Sequence, residues 1–180
     1  MAAESFPVEG AVLGALLLHG EGHGYALNAR ISSALGPIWR IAPSRLYAVL
    51  SRLEDEGLIA GRMVPQEGRP PRRVFSITSS GEKAFWKWVT SPVRHLRDVR
   101  VEFLAKLYFL HRLAPERMGK LISDEVDALE RIRSRLARRS GLRVEDELIG
   151  RLALSFRLGQ LQATLAWLHD CAQELEKEER

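Results

Sequence analysis

The chain has 180 residues, enough for one domain or two small ones, and its 27 Lys and Arg against 23 Asp and Glu give a formal net charge of +4. Hydrophobic residues make up 46% and charged ones 28%, a globular balance that excludes a disordered chain. The single Cys171 excludes an intrachain disulfide framework and a cysteine-rich zinc site, and no apolar run approaches the ~18 residues needed to cross a bilayer.

No basic and then apolar leader opens the chain, so the expected setting is reducing and cytoplasmic, with no membrane partner. A first helix is predicted from about Val8 to Leu18, apolar at Val12, Leu13, Leu16 and Leu17, and Gly20, Gly22 and Gly24 break it. A second runs from Tyr25 to Ala34 and stops at Gly36-Pro37. Pro43 opens a third in its first turn, Leu46, Val49, Leu50 and Leu53 form its apolar face, and Gly57 caps its end. A short strand then reaches Val64. Pro65 to Pro71 reads as a loop whose Gly68, Pro70 and Pro71 need not form a tight tip, and Arg72 to Ile77 is the returning strand. Thr78 is placed to cap a fourth helix through Trp88, and Ser91-Pro92 marks a joint.

Beyond the joint the pattern is helical. Asp98 is placed to cap a helix to Arg112, Pro115 opens another that Ser140-Gly141 ends, and the last runs from about Val144 to Lys177. Leu154, Leu158, Leu161, Leu165, Leu168 and Leu175, with Ala172, follow a 4-3 alternation along it. A helix that long exceeds what its half of the chain can bury, so a second copy is the expected cover for this stripe.

Three helices, a hairpin and a fourth helix are the order of a winged helix-turn-helix. The predicted fold is therefore mostly α: a winged helix-turn-helix over residues 1–95, then an all-α dimerisation domain over residues 96–180. In that fold the third helix enters the major groove and the hairpin tip reaches the flanking backbone or minor groove. Ser44, Arg45 and Tyr47 lie in the first turn or so of the third helix, off its apolar face, and Arg69, Arg72 and Arg73 surround the tip. Seven arginines fall between Arg40 and Arg73. Arg45 is placed against either a guanine edge or a phosphate; Arg69 and Arg72, ahead of Arg73, suit phosphates or the minor groove. Tyr47 has a hydroxyl for a phosphate and a ring for packing, while Tyr25 reads as core or hinge.

Several stretches carry a resemblance: Gly14-Ala15-Leu16-Leu17, His23-Gly24-Tyr25, the run Leu46-Tyr47-Ala48-Val49-Leu50-Ser51-Arg52-Leu53-Glu54-Asp55-Glu56-Gly57-Leu58-Ile59, Gly68-Arg69-Pro70-Pro71-Arg72-Arg73, Phe75-Ser76-Ile77-Thr78-Ser79-Ser80-Gly81 and Glu102-Phe103-Leu104-Ala105-Lys106-Leu107. In order and spacing these resemble the PadR family of bacterial transcriptional regulators, in its longer form. The resemblance implies a homodimer on double-stranded DNA that represses a nearby operon, often relieved by a small aromatic or xenobiotic effector. The chain departs from the common pattern at Ser44-Arg45, where many relatives carry a small pair, and at Ala48, where they carry proline. Operator identity therefore does not transfer.

Trp86, Trp88, Tyr108, Phe156 and Trp167 are the aromatic stock for an effector pocket, although each alone reads equally as core. No cofactor or metal is expected. His19 and His23 are four apart, but Gly20 and Gly22 interrupt any shared helix and no carboxylate or thiol accompanies them. There is no nucleophile–base pairing and no phosphate-cradling loop with its lysine, and the G-x-G-x-G of Gly20, Gly22 and Gly24 follows no strand, so an enzyme is not expected. The competing reading is a protein-interaction module on a winged-helix scaffold, against which stand the arginines at both DNA-facing places.

Overall fold

A computed structural model describes residues 6–139 and 147–178. It divides into two compact units, one of Met1–Ser91 with Asp98–Pro115 and one of Pro92–Arg97 with Glu116–Arg180. Among the described residues no helix is long and apolar enough to cross a membrane.

In the first unit, α1 (Phe6–His19) is apolar nearly all round, the pattern of a helix surrounded by others. Val8, Ala11, Val12, Leu13, Ala15 and Leu16 are all buried, and α2 (Gly24–Leu35), α3 (Pro43–Asp55), α4 (Ser79–Val89) and α5 (Leu104–Leu113) pack on it. The end of α3 follows from its sequence. Gly57 takes the left-handed φ of +70°, its N–H bonds to the Glu54 carbonyl, and the Leu58 N–H bonds to the Leu53 carbonyl. Those two bonds satisfy carbonyls that a helix end leaves open. Thr78 caps α4 as its position predicts, its Oγ1 accepting the Gly81 N–H at 3.1 Å.

The sheet differs from the expected hairpin in two ways. First, it has three antiparallel strands in the order β1-β3-β2, because Gly22–His23 (β1) pairs with Phe75 and Val74 of β3. Second, β2 (Ile59–Gln66) and β3 (Arg69–Ile77) run through the stretch read as a loop, leaving only Glu67 and Gly68 between them. Prolines are tolerated in that stretch for identifiable reasons. Pro65 sits where the register shifts between Val64 and Gln66, and Pro70 and Pro71 lie beyond the two β3 residues that pair with β1, so no strand needs their missing N–H on that side.

The helix expected from Asp98 begins less regularly, as a 3₁₀ turn (Leu96–Asp98) and a π-helical turn (Val99–Phe103) before α5. Asp98 is itself helical (φ −82°, ψ −16°) and makes no N-cap hydrogen bond, so the capping role predicted for it is not realised.

In the second unit, α6 (Met118–Arg139) follows a 3₁₀ turn at Pro115–Arg117, and it packs with α7 (Glu147–Glu178). The predicted end of α6 at Ser140-Gly141 and start of α7 at Val144 lie outside the described residues. Glu125 of α6 is fully buried and accepts the Val93 N–H at 2.7 Å, which fixes the segment after Pro92 to this unit. The leucine stripe predicted as a seam to a partner chain is an intrachain seam at its centre. Leu161, Leu165 and Leu168 are buried, as are Leu121, Ile122 and Leu129 of α6, while Leu154, Leu158 and Leu175 are half-buried. The cause is that α6 carries an apolar stripe of its own, and the nearest cover for α7 is its neighbour in the chain.

Candidate nucleic-acid interface

The third helix presents its predicted face. Leu46, Val49, Leu50 and Leu53 are buried, and Ser44, Arg45, Tyr47, Ala48 and Ser51 are exposed. At 3.6 residues per turn, Ser44, Ala48 and Ser51 share the outward midline while Arg45 and Tyr47 flank it on opposite sides. Small side chains along the midline let a helix backbone approach a surface closely, with the two long flanking side chains reaching further. Tyr47 is 53% exposed and lies over the start of α2, where a Cβ on Gly24 would come within 2.5 Å of its ring.

Tyr25, expected in the core or at a hinge, is not in the core: it is 75% exposed in the first turn of α2, its ring roughly parallel to that of His23 with centroids 6.3 Å apart. His23 caps α2, its Nδ1 accepting the Ala26 N–H at 3.2 Å. An open groove bounded by His23, Tyr25, Tyr47, Glu54, Arg72 and Arg73 runs from the start of α2 along α3 to β3.

The arginine cluster is less uniform than its count of seven suggests. Arg52 pairs with Glu9 of α1, Arg62 pairs with Glu21 at 2.7 Å, and Arg73 pairs with Glu54 of α3 at 2.7 Å. Arg73 is therefore turned toward α3, its guanidinium also lying 5.9 Å from the Phe75 ring centre. Arg40, Arg45 and Arg72 are exposed, and Arg72 lines the groove with no carboxylate partner among the described residues. Arg69 opens β3 beside the tip, and its side chain lies outside the described atoms.

The aromatic residues assigned to an effector pocket are divided between the two units, Trp86, Trp88 and Tyr108 in the first and Phe156 and Trp167 in the second. Trp88 is a core residue of the first, 4% exposed, packed with Phe85 and Phe109, and donating Nε1–H to Glu102 at 2.9 Å. Trp86 is half-buried and donates to Glu82 at 3.4 Å, and Tyr108 is half-buried edge-on to Phe109. Phe156 and Trp167 belong to the second unit, Phe156 66% exposed and Trp167 half-buried.

Two family models match separate stretches of the chain. Residues 12–87, which contain α2, α3, the wing and most of α4, match the Transcriptional regulator PadR-like family. That stretch is a PadR-like domain, and the match covers less than half of the chain. Residues 99–176 match a second description, Virulence activator alpha C-term, which fits the longer form of PadR-like chains. The Negative transcriptional regulator PadR of Bacillus subtilis is 31% identical over 119 residues, covering 64% of this chain and 63% of that protein, so the matched stretch spans less than two thirds of the relative. Its crystal structure with operator DNA is 24% identical over 91% of this chain and 97% of that chain, with a TM-score of 0.46. Its structure with p-coumaric acid is 23% identical over 98% and 99%, with a TM-score of 0.42. The PadR-like family is one of regulators rather than enzymes, in line with the reading of the motifs.

Proposed function

We propose that this PadR-like chain is a transcriptional repressor that binds a pseudo-palindromic operator as a homodimer. The observation that carries the reading is the exposed face of α3, small along Ser44, Ala48 and Ser51 and flanked by Arg45 and Tyr47, with Arg72 of the wing beside it. Arg45, Ser44 and Tyr47 serve the major groove, and Arg72 and Arg69 serve the backbone or minor groove. The division expected at residues 1–95 and 96–180 shifts with the compact units: Met1–Ser91 with Asp98–Pro115 would be the DNA-reading part, and Pro92–Arg97 with Glu116–Arg180 the dimerising part.

Support for the dimer comes from α7. Leu148, Ile149, Leu152 and Phe156 are each more than half exposed. They fall within about 100° of one another around the helix, on the side opposite the stripe that α6 covers. Two such chains would hold recognition helices for half-sites about one helical turn, or a multiple of it, apart. A flat aromatic effector, the class held in the p-coumaric acid complex of the B. subtilis protein, would act by favouring a dimer shape whose half-site spacing no longer fits the operator.

The test is fluorescence anisotropy with DNA from upstream of the chain's own gene against scrambled DNA, over a salt series. Tight binding to the first alone supports the reading. Equal, steeply salt-dependent binding to both is phosphate attraction without readout, and no binding to either at low salt favours the interaction-module reading.

A further inference from the structure

We propose that Glu54 is a positioning residue that locks the wing against the recognition helix, and that Arg73 completes this clamp instead of contacting DNA. The inference rests on the DNA-binding reading and assigns a mechanical part within it. Near the end of α3, the Glu54 carboxylate oxygen Oε1 accepts two hydrogen bonds, one from the backbone N–H of Gly61 in β2 at 3.1 Å and one from Arg73 in β3 at 2.7 Å. One oxygen thus holds both strands of the wing to the helix.

The surroundings are built for this contact. A Cβ on Gly61 would lie 2.5 Å from Glu54 Oε1 and 2.7 Å from Arg73 Nε, so only glycine leaves room for the carboxylate and the guanidinium together. The Arg73 guanidinium also lies over the Phe75 ring, 5.9 Å from its centre. From Arg73 to the tip at Gly68 is five residues of strand, a lever of about 15–18 Å at ~3.3 Å per residue. A rotation of about 10° at the clamp would therefore move the tip by ~3 Å, the difference between touching a phosphate and missing it.

Charge alone predicts the opposite behaviour, which makes the inference decidable. Glu54 borders the groove beside Tyr47 and Arg72, where a carboxylate repels a polyanion. If it acted only through charge, Glu54→Gln would tighten DNA binding. A clamp predicts that the same change loosens it.

The experiment uses the full chain and the duplex it recovers best from a randomised pool. Affinity over a salt series and thermal unfolding are measured for wild type, Glu54→Gln, Arg73→Gln, their double variant and Gly61→Ala. Each single change is expected to weaken specific binding about tenfold, with the double variant no weaker than either parent, as for residues in one contact. The slope of log affinity on log salt stays at the wild-type value. Gly61→Ala keeps every charge and displaces only side-chain ends, so its melting temperature stays at the wild-type value while its affinity falls. Binding by Glu54→Gln at or above the wild-type affinity would overturn the clamp, as would a slope reduced by about one in Arg73→Gln, the mark of a lost phosphate contact. If wild type recovers no preferred duplex, the DNA-binding reading fails and takes the clamp with it. If wild type discriminates and Gly61→Ala matches it, the clamp alone fails.

Discussion

Lys106 and Glu102 form an ion pair, 2.8 Å apart, with the ammonium almost wholly buried at 1% exposure. The same Lys106 Nζ donates to the Ser91 carbonyl at 2.8 Å and lies 5.4 Å from the Trp88 ring centre, while Trp88 donates to Glu102. The end of α4, the joint after it and the start of α5 are thus fastened by one network. A charge taken out of water is tolerated only when its partners are in place. Lys106→Ala removes one partner and leaves the Ser91 carbonyl and Glu102 without it, at an expected cost of about 3 kcal/mol. Lys120→Ala is the control, since its pair with Asp124 is exposed and worth about 0.5 kcal/mol or less. Urea midpoints of the two variants check this, and equal midpoints would show that the Lys106 network carries no special load.

Gly10 and Gly14 set two effects against each other. Alanine is the better helix former by about 1 kcal/mol. Yet a Cβ on Gly10 would lie 2.5 Å from the Trp88 ring, and one on Gly14 would lie 2.6 Å from the Phe109 ring, both rings being buried. Forcing a methyl into a packed core costs about 1–3 kcal/mol, and a large ring has little freedom to retreat. Gly10→Ala and Gly14→Ala are therefore each expected to lower the denaturation midpoint. A raised midpoint would mean that helix propensity outweighs packing here.

The limits of α3 were legible because Pro43 and Gly57 are local signals for φ and for hydrogen bonding, and Thr78 announced α4 in the same way. Strand β1 was not, because two residues carry no period and their pairing partners lie some fifty positions away. Periodicity along α7 showed which face is apolar but not what covers it. That answer depends on α6 being adjacent and equally striped. Arg73 looked like its neighbours Arg69 and Arg72, and only the approach of Glu54 separates it from Arg72. An aromatic at a helix start usually packs inward, whereas here Leu27 and Ile31 face the core and Tyr25 does not.

His19, at the end of α1, has its pKa held below the ordinary histidine value of about 6.5 by burial first and then by the Arg30 and Arg112 guanidiniums. The folded chain therefore binds this proton less readily than the unfolded one. Its contribution to stability is fully present above about pH 6.5 and is lost as pH falls toward the lowered folded value. Because the ring is largely exposed, the effect is small. Urea midpoints at about pH 8 and about pH 5 should fall further for wild type than for His19→Gln. Parallel losses would show that His19 does not report on this proton.

Arg45 and Arg72 should fail differently. Arg45→Ala removes a candidate base reader, so affinity for the preferred duplex should fall by about 1–3 kcal/mol and discrimination at one position should relax. Arg72→Ala removes a candidate phosphate contact, so all duplexes should weaken alike and the salt slope should drop by about one. Titrating both variants against preferred and scrambled DNA separates the roles. If the two patterns appear exchanged, α3 and the wing have been given each other's tasks.

The two apolar faces of α7 make opposite predictions for the oligomer. Leu165 belongs to the face that α6 covers, so Leu165→Ala should cost about 2–5 kcal/mol of stability as a core cavity. Leu152 and Phe156 are 57% and 66% exposed, so replacing both with glutamate takes little from the packing of the single chain. With a second copy on that face, the same change places four carboxylates in an apolar interface, and the dimer should dissociate while helicity is retained. Light scattering behind size exclusion reads this directly. Wild type should run at about twice the chain mass of 20.3 kDa and the double glutamate variant at the chain mass itself. A variant that stays dimeric would place the dimer contact elsewhere in the chain, and a monomeric wild type would remove the two-fold reading of the operator altogether.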